Sequence, residues 1–136
     1  MTIVVCLDDR NGMAFNKRRQ SGDRELRARL LRVVEGSRLW MNPYSAKQFT
    51  EEKAVICVAD DVAEQAATGE YVFLETTDPM AFLGRATRLI VYRWNRIYPS
   101  DTTFPLEQFT NGTAPSRRFE FVGYSHEKIT EEVYEL

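Results

Sequence analysis

Five short, nearly continuous apolar runs, spaced along the chain between amphipathic or turn-forming segments, constrain its fold more than any other feature. The first, Thr2–Leu7 (Thr-Ile-Val-Val-Cys-Leu), has no polar alternation. A run this short and this apolar marks a strand buried on both faces. Leu39-Trp40-Met41, residues 54–59, Tyr71–Leu74 and residues 89–94 repeat the pattern. Between the first two runs lies the clearest helix. Ser21 or Gly22 can cap it, Asp23 and Glu25 suit its first turn, Leu26, Leu30, Val33 and Val34 share one face, and Gly36 ends it. Shorter helices are expected from Pro43 to Phe49, from Asp60 to Ala67, and from Asp78-Pro79 to about Gly84. Residues 95–116 read as loop, and residues 119–124 and 129–136 as two closing antiparallel strands. Strands alternating with helices, then strands without them, predict an α/β fold. Its central sheet is mixed but mostly parallel and flanked by helices, with an antiparallel C-terminal hairpin, in a single domain over residues 1–136.

Composition agrees with that frame. The chain has 136 residues, 43% hydrophobic and 28% charged, enough to bury a core. No apolar run approaches the roughly 20 residues of a membrane helix, and no basic-flanked leader precedes the first strand. The expectation is a soluble, cytoplasmic protein that does not meet a membrane. Cys6 and Cys57 fall inside strand candidates and read as buried thiols. The net charge of −2 is unevenly spread: residues 10–38 hold nine basic and three acidic residues. That segment can attract an anionic partner, or its charge can be balanced by acidic neighbours in space; the second is the commoner outcome.

The loop of residues 11–23 (Asn-Gly-Met-Ala-Phe-Asn-Lys-Arg-Arg-Gln-Ser-Gly-Asp) is the natural place for chemistry. It leaves a buried strand, carries three consecutive cations, and delivers Asp23 to a helix start. Two roles compete for Asp23: a catalytic acid in a pocket, or a carboxylate that caps a helix. Metal chemistry is poorly supported by a single histidine, His126, which reads as an exposed residue beside an edge strand. No Gly-x-Ser-x-Gly elbow announces a Ser/His/Asp triad, and no phosphate-binding P-loop is present.

The order of elements and three local signatures resemble the dihydrofolate reductase fold family. The first is the strand at residues 3–7, then Gly12-Met13, then Asp23, with a Gly-to-Asp spacing one residue shorter than in bacterial enzymes of the family. The second is Leu39-Trp40-Met41-Asn42-Pro43-Tyr44-Ser45, a strand ending in Met before a helix start that holds a hydroxyl. The third and most specific is Leu89-Ile90-Val91-Tyr92, then Ser100-Asp101-Thr102-Thr103-Phe104-Pro105, then a closing hairpin. The resemblance implies that Asp23 lies in the pterin pocket, assisting protonation while NADPH delivers hydride.

The departures fall at functional positions. The family's Gly-Gly pair, which admits the cofactor diphosphate, is replaced by Glu75-Thr76-Thr77-Asp78, whose carboxylates would repel it. Its phosphate-binding Gly-Arg is Asn42-Pro43 here, with only Ser45 keeping a hydroxyl. The segment Thr50-Glu51-Glu52-Lys53 lacks the arginine that holds the folate tail. The Pro-Trp pair beside the nicotinamide gives way to Lys17-Arg18-Arg19, and the threonine partnering the catalytic acid aligns with Tyr92. The expectation is therefore a diverged protein without standard reductase activity, binding a small anionic or heterocyclic ligand, or a protein, near residues 11–23. Asp23 is its candidate catalytic residue; Met13, Arg18, Arg19, Tyr44, Ser45 and Tyr92 are its candidate ligand-binding residues. No cofactor is expected, with NADPH left open. The alternatives are an NAD(P)H-dependent reductase of a pterin-like substrate, and a phosphate-backbone binder using the basic residues 17–38. An acidic chain without specific recognition signals argues against nucleic acid.

Overall fold

The computed structural model describes residues 1–50 and 55–136; Glu51, Glu52, Lys53 and Ala54, and the readings that rest on them, lie outside the described residues. In chain order the elements are β1 (Thr2–Leu7), β2 (Gly12–Phe15), β3 (Arg18–Arg19), α1 (Arg24–Val33), β4 (Leu39–Met41) and α2 (Pro43–Ala46). There follow β5 (Ile56–Val58), α3 (Val62–Gln65), β6 (Tyr71–Leu74), a 3-10 turn (Pro79–Phe82) and β7 (Arg88–Arg93). The chain ends with β8 (Thr102–Thr103), α4 (Leu106–Thr110), β9 (Arg117–Phe121) and β10 (Ile129–Glu135).

Each apolar run becomes a strand of one seven-stranded sheet, ordered β5-β4-β6-β1-β7-β10-β9. The first five run parallel, and β10 lies antiparallel between β7 and β9. The fold is thus mixed α/β, mostly parallel, with the expected antiparallel C-terminal hairpin. Central β1 is buried along its whole length, as its uninterrupted apolar sequence requires. Its side chains alternate between two cores. Ile3, Val5 and Leu7 pack with Phe82, Val91 and Phe104 on one face; Val4 and Cys6 pack with Leu26, Leu30 and Tyr92 on the other. The helix α1 covers the second face because Leu26, Leu30 and Val34 recur at helical spacing and are all buried. None of the described helices is long and apolar enough to cross a membrane.

Several boundaries differ from expectation. The cap of α1 is Asp23, not Ser21 or Gly22, because its carboxylate accepts the free N–H groups of Glu25 and Leu26. The later helices shrink to single turns, each with one or two buried side chains to hold it. Residues 95–116 are not merely loop: they supply β8 and α4, the latter held by Phe109 against Phe104. Cys57 is only half-buried, since β5 is an edge strand; Cys6 is buried, and both are free thiols.

Candidate functional site

Residues 11–23 fold into a β-hairpin rather than an irregular loop. The strands β2 and β3 pair antiparallel, and β8 adds a third strand to this small sheet. Asn16 and Lys17 make its turn with φ of 51° and 60°, the left-handed pair that a two-residue hairpin turn demands. The Asn16 N–H donates to Asp101 Oδ2 at 3.0 Å. Three buried carboxylates then fix the hairpin and the chain around it.

Asp8, which sequence reasoning treated only as a turn residue, is the first. Its Oδ1 accepts from the N–H groups of Arg10 and Gly12, each at 2.8 Å. Its Oδ2 accepts from Gln20 Nε2 at 3.0 Å and the Tyr98 N–H at 3.2 Å. Burial works to raise its pKa, but these donors outweigh it and hold the carboxyl below its ordinary value. Gly12 leaves room for these contacts: a Cβ would stand 2.7 Å from Gln20 Nε2 and 2.8 Å from Asp8 Oδ2, so those side chains would have to move.

Glu75, at the end of β6, is the second. Arg19 Nε donates to both of its oxygens at 3.0 and 3.2 Å, Ser45 Oγ donates at 2.7 Å, and Gln48 Nε2 at 3.0 Å. The Arg19 guanidinium also lies over the Tyr44 ring, 4.3 Å from its centroid, while the Arg19 N–H donates to the Tyr44 hydroxyl. Arg19, Tyr44 and Ser45, all predicted from sequence, therefore come together around a carboxylate of the chain itself.

Asp23 is the third. Besides capping α1, its Oδ1 accepts from the Tyr124 N–H at 2.9 Å, and its Oδ2 from the Ser125 N–H and His126 Nδ1, both at 2.9 Å. Burial pushes its pKa up, yet the Tyr124 N–H, His126 and the Ser125 and Glu25 N–H groups prevail and hold it far below the usual carboxylate range. His126 corrects an expectation. It is not an exposed edge residue: it is 4% exposed, stacked on Trp94 at a centroid distance of 4.5 Å. Its Nε2 meets two hydroxyls, Ser21 Oγ at 3.1 Å and Tyr98 at 3.0 Å. A Ser/His/Asp arrangement thus exists although no sequence elbow announced it. Gly123 makes it possible, because a Cβ there would lie 2.7 Å from Asp23 Oδ2 and 2.7 Å from the His126 carbonyl.

Beside the hairpin lies a groove of about 290 Å³, lined by Phe15, Arg18, Arg19, Gln20, Tyr98 and Pro99, with Asn16 at its edge. Arg18 is exposed. Gln20 donates through Nε2 to Asp8 and to the Pro99 carbonyl, which orients the amide and leaves its buried Oε1 without a partner. Of the other predicted residues, Met13 is buried in the core and does not line this groove. Tyr92 does not line it either: fully buried, it donates to Glu131 Oε2 at 2.8 Å, and Arg29 holds the same carboxylate through two bonds. A larger, open groove of about 560 Å³ lies across β7, β10 and β9, but its charges neutralise one another: Arg93 and Arg118 pair with Glu132, and Lys128 with Glu120.

Part of the basic segment is balanced by carboxylates from elsewhere in the fold. Arg19, Arg29 and Arg38 pair with Glu75, Glu131 and Glu70, and Arg24 lies 3.6 Å over the Tyr124 ring. Among the described residues no cluster of three His, Cys, Asp or Glu side chains could hold a metal ion. No protein-family model and no curated protein matches the chain.

Proposed function

We propose that this chain is a diverged member of the dihydrofolate reductase fold family that binds a small anionic heterocycle beside the hairpin of residues 11–23 and does not catalyse standard NADPH-dependent reduction. The groove carries this reading: it combines the exposed cation of Arg18 with the aromatic surfaces of Phe15 and Tyr98. A planar ring with an attached phosphate or carboxylate suits those features together. The Glu75 cluster supports the second half. On the family resemblance, the end of β6 would face the cofactor diphosphate. Here it bears a buried carboxylate whose cation, hydroxyl and amide partners are already engaged within the chain.

Calorimetric titration with AMP tests the reading, with adenosine and ribose 5-phosphate as the separate halves of the ligand. AMP is expected to bind saturably and more tightly than either half. Arg18→Gln is expected to weaken it by roughly tenfold to a hundredfold, the loss of one charge-assisted pair. No saturable binding of AMP, or equal binding by Arg18→Gln, overturns the reading. The nucleic-acid alternative has less support, because the arginines at 19, 29 and 38 already have carboxylate partners.

A further inference from the structure

We propose that Ser21 is the nucleophile of an acyl-transfer site, with His126 as its general base and Asp23 as the residue that positions His126. The geometry is that of an ordered relay. Asp23 Oδ2 stands 2.9 Å from His126 Nδ1, and His126 Nε2 stands 3.1 Å from Ser21 Oγ. The carboxylate accepts the Nδ1 proton, which leaves the Nε2 lone pair directed at the hydroxyls. Serine is a poor nucleophile unless such a base removes its proton as it attacks.

The surroundings fix the base more firmly than an incidental contact does. The Asp23 carboxylate is anchored by the α1 cap and by the N–H groups of residues 124 and 125, so it cannot rotate away from the ring. Trp94 stacks on one imidazole face. Ser21, by contrast, is only half-buried. It follows Gln20 in the chain, and Tyr98 touches the same imidazole nitrogen; both Gln20 and Tyr98 line the groove. Among the described residues, the Gly22 and Asp23 N–H groups that follow Ser21 donate to no protein acceptor, and they precede the positive end of α1.

The step is ester cleavage. Ser21 Oγ bonds to the carbonyl carbon of a carboxylic ester while its proton passes to His126 Nε2, and the carbonyl π pair becomes an oxyanion. As the oxyanion collapses, the ester C–O bond breaks and the leaving alkoxide takes the proton from Nε2. The acyl group remains on Ser21. Water then attacks it, losing a proton to the same nitrogen; the acid departs and Ser21 recovers its proton. The nucleophile stands on its own geometry. The substrate class, an ester with an anionic heterocyclic portion, rests on the groove reading above.

Wild-type protein treated with diisopropyl fluorophosphate, then mapped by peptide mass spectrometry, provides the test. A single adduct on Ser21 is expected. Hydrolysis of p-nitrophenyl acetate should fall to the background rate in Ser21→Ala. His126→Gln, which keeps an amide to bond Asp23 but offers no base, should label at least about a hundredfold more slowly. The proposal is overturned if Ser21 stays unlabelled under conditions that fully label trypsin, or if Ser21→Ala hydrolyses the ester as fast as wild type. Both probes are neutral, so the two readings fail separately. Ser21 labelling without AMP binding removes the groove reading alone; AMP binding without Ser21 labelling removes the nucleophile alone.

Discussion

Asp23 spends its carboxylate on two separated pieces of chain, the start of α1 and the turn before β10, more than a hundred residues away. Such a group contributes to stability only while ionised. Its pKa is lowered by folding, so the contribution is complete at neutral pH, above the unfolded carboxyl value of about 4. It fades as pH falls from there toward the depressed folded value. Asp23→Asn keeps the shape and loses the charge; we expect a cost of about 2–4 kcal/mol at pH 7 from the weakened cap and the buried donors left unpaired. In thermal melts across pH, the gap between variant and wild type should narrow in acid. A gap that stays constant to pH 2 would contradict this account of Asp23. The sequence marked Asp23 and the helix it begins. It did not mark His126, whose neighbours Ser125, Glu127 and Lys128 are polar and suggest exposure. Its burial comes from Trp94 and Tyr98, which arrive from the far end of β7. Long-range packing of that kind leaves no local pattern.

At the scale of elements, the turn that receives Asp23 depends on a close approach that glycine allows. Gly123→Ala forces a methyl group against Asp23 and the His126 carbonyl, and should destabilise the fold by about 1–3 kcal/mol in urea unfolding. Gly22→Ala is the control. Its nearest neighbour would lie 3.8 Å away, so its midpoint should shift by less than about 0.5 kcal/mol. Equal losses in the two variants would show that the close approach at Gly123 does not matter. Strands were the most legible elements, because burial on both faces demands an unbroken apolar run. The hairpin was not. Its turn is Asn16-Lys17, and lysine in a left-handed conformation lacks the glycine that normally announces such a turn. The single-turn helices were overextended for a related reason: caps such as Asp78 are local, whereas the apolar contacts that lengthen a helix are not.

For the molecule as a whole, part of the uneven charge of the sequence is resolved inside the fold. The carboxylates of Glu75, just after β6, and of Glu131 in β10 meet Arg19 of the hairpin and Arg29 of α1. Arg18, at the start of β3, remains outside those pairs and gives the groove an exposed charge. The order of elements was readable from periodicity, and the mostly parallel sheet with its antiparallel end follows that order. The site was readable only in part. Arg19, Tyr44 and Ser45 do assemble, but around Glu75. That assembly bears on the proposal made above, that a ligand binds on the hairpin side and that NADPH does not. Titrating NADPH into the protein by fluorescence, with and without dihydrofolate, tests it most directly. The account predicts neither saturable binding nor oxidation of NADPH; saturable micromolar binding that is lost in Ser45→Ala, or steady oxidation with dihydrofolate present, would contradict it.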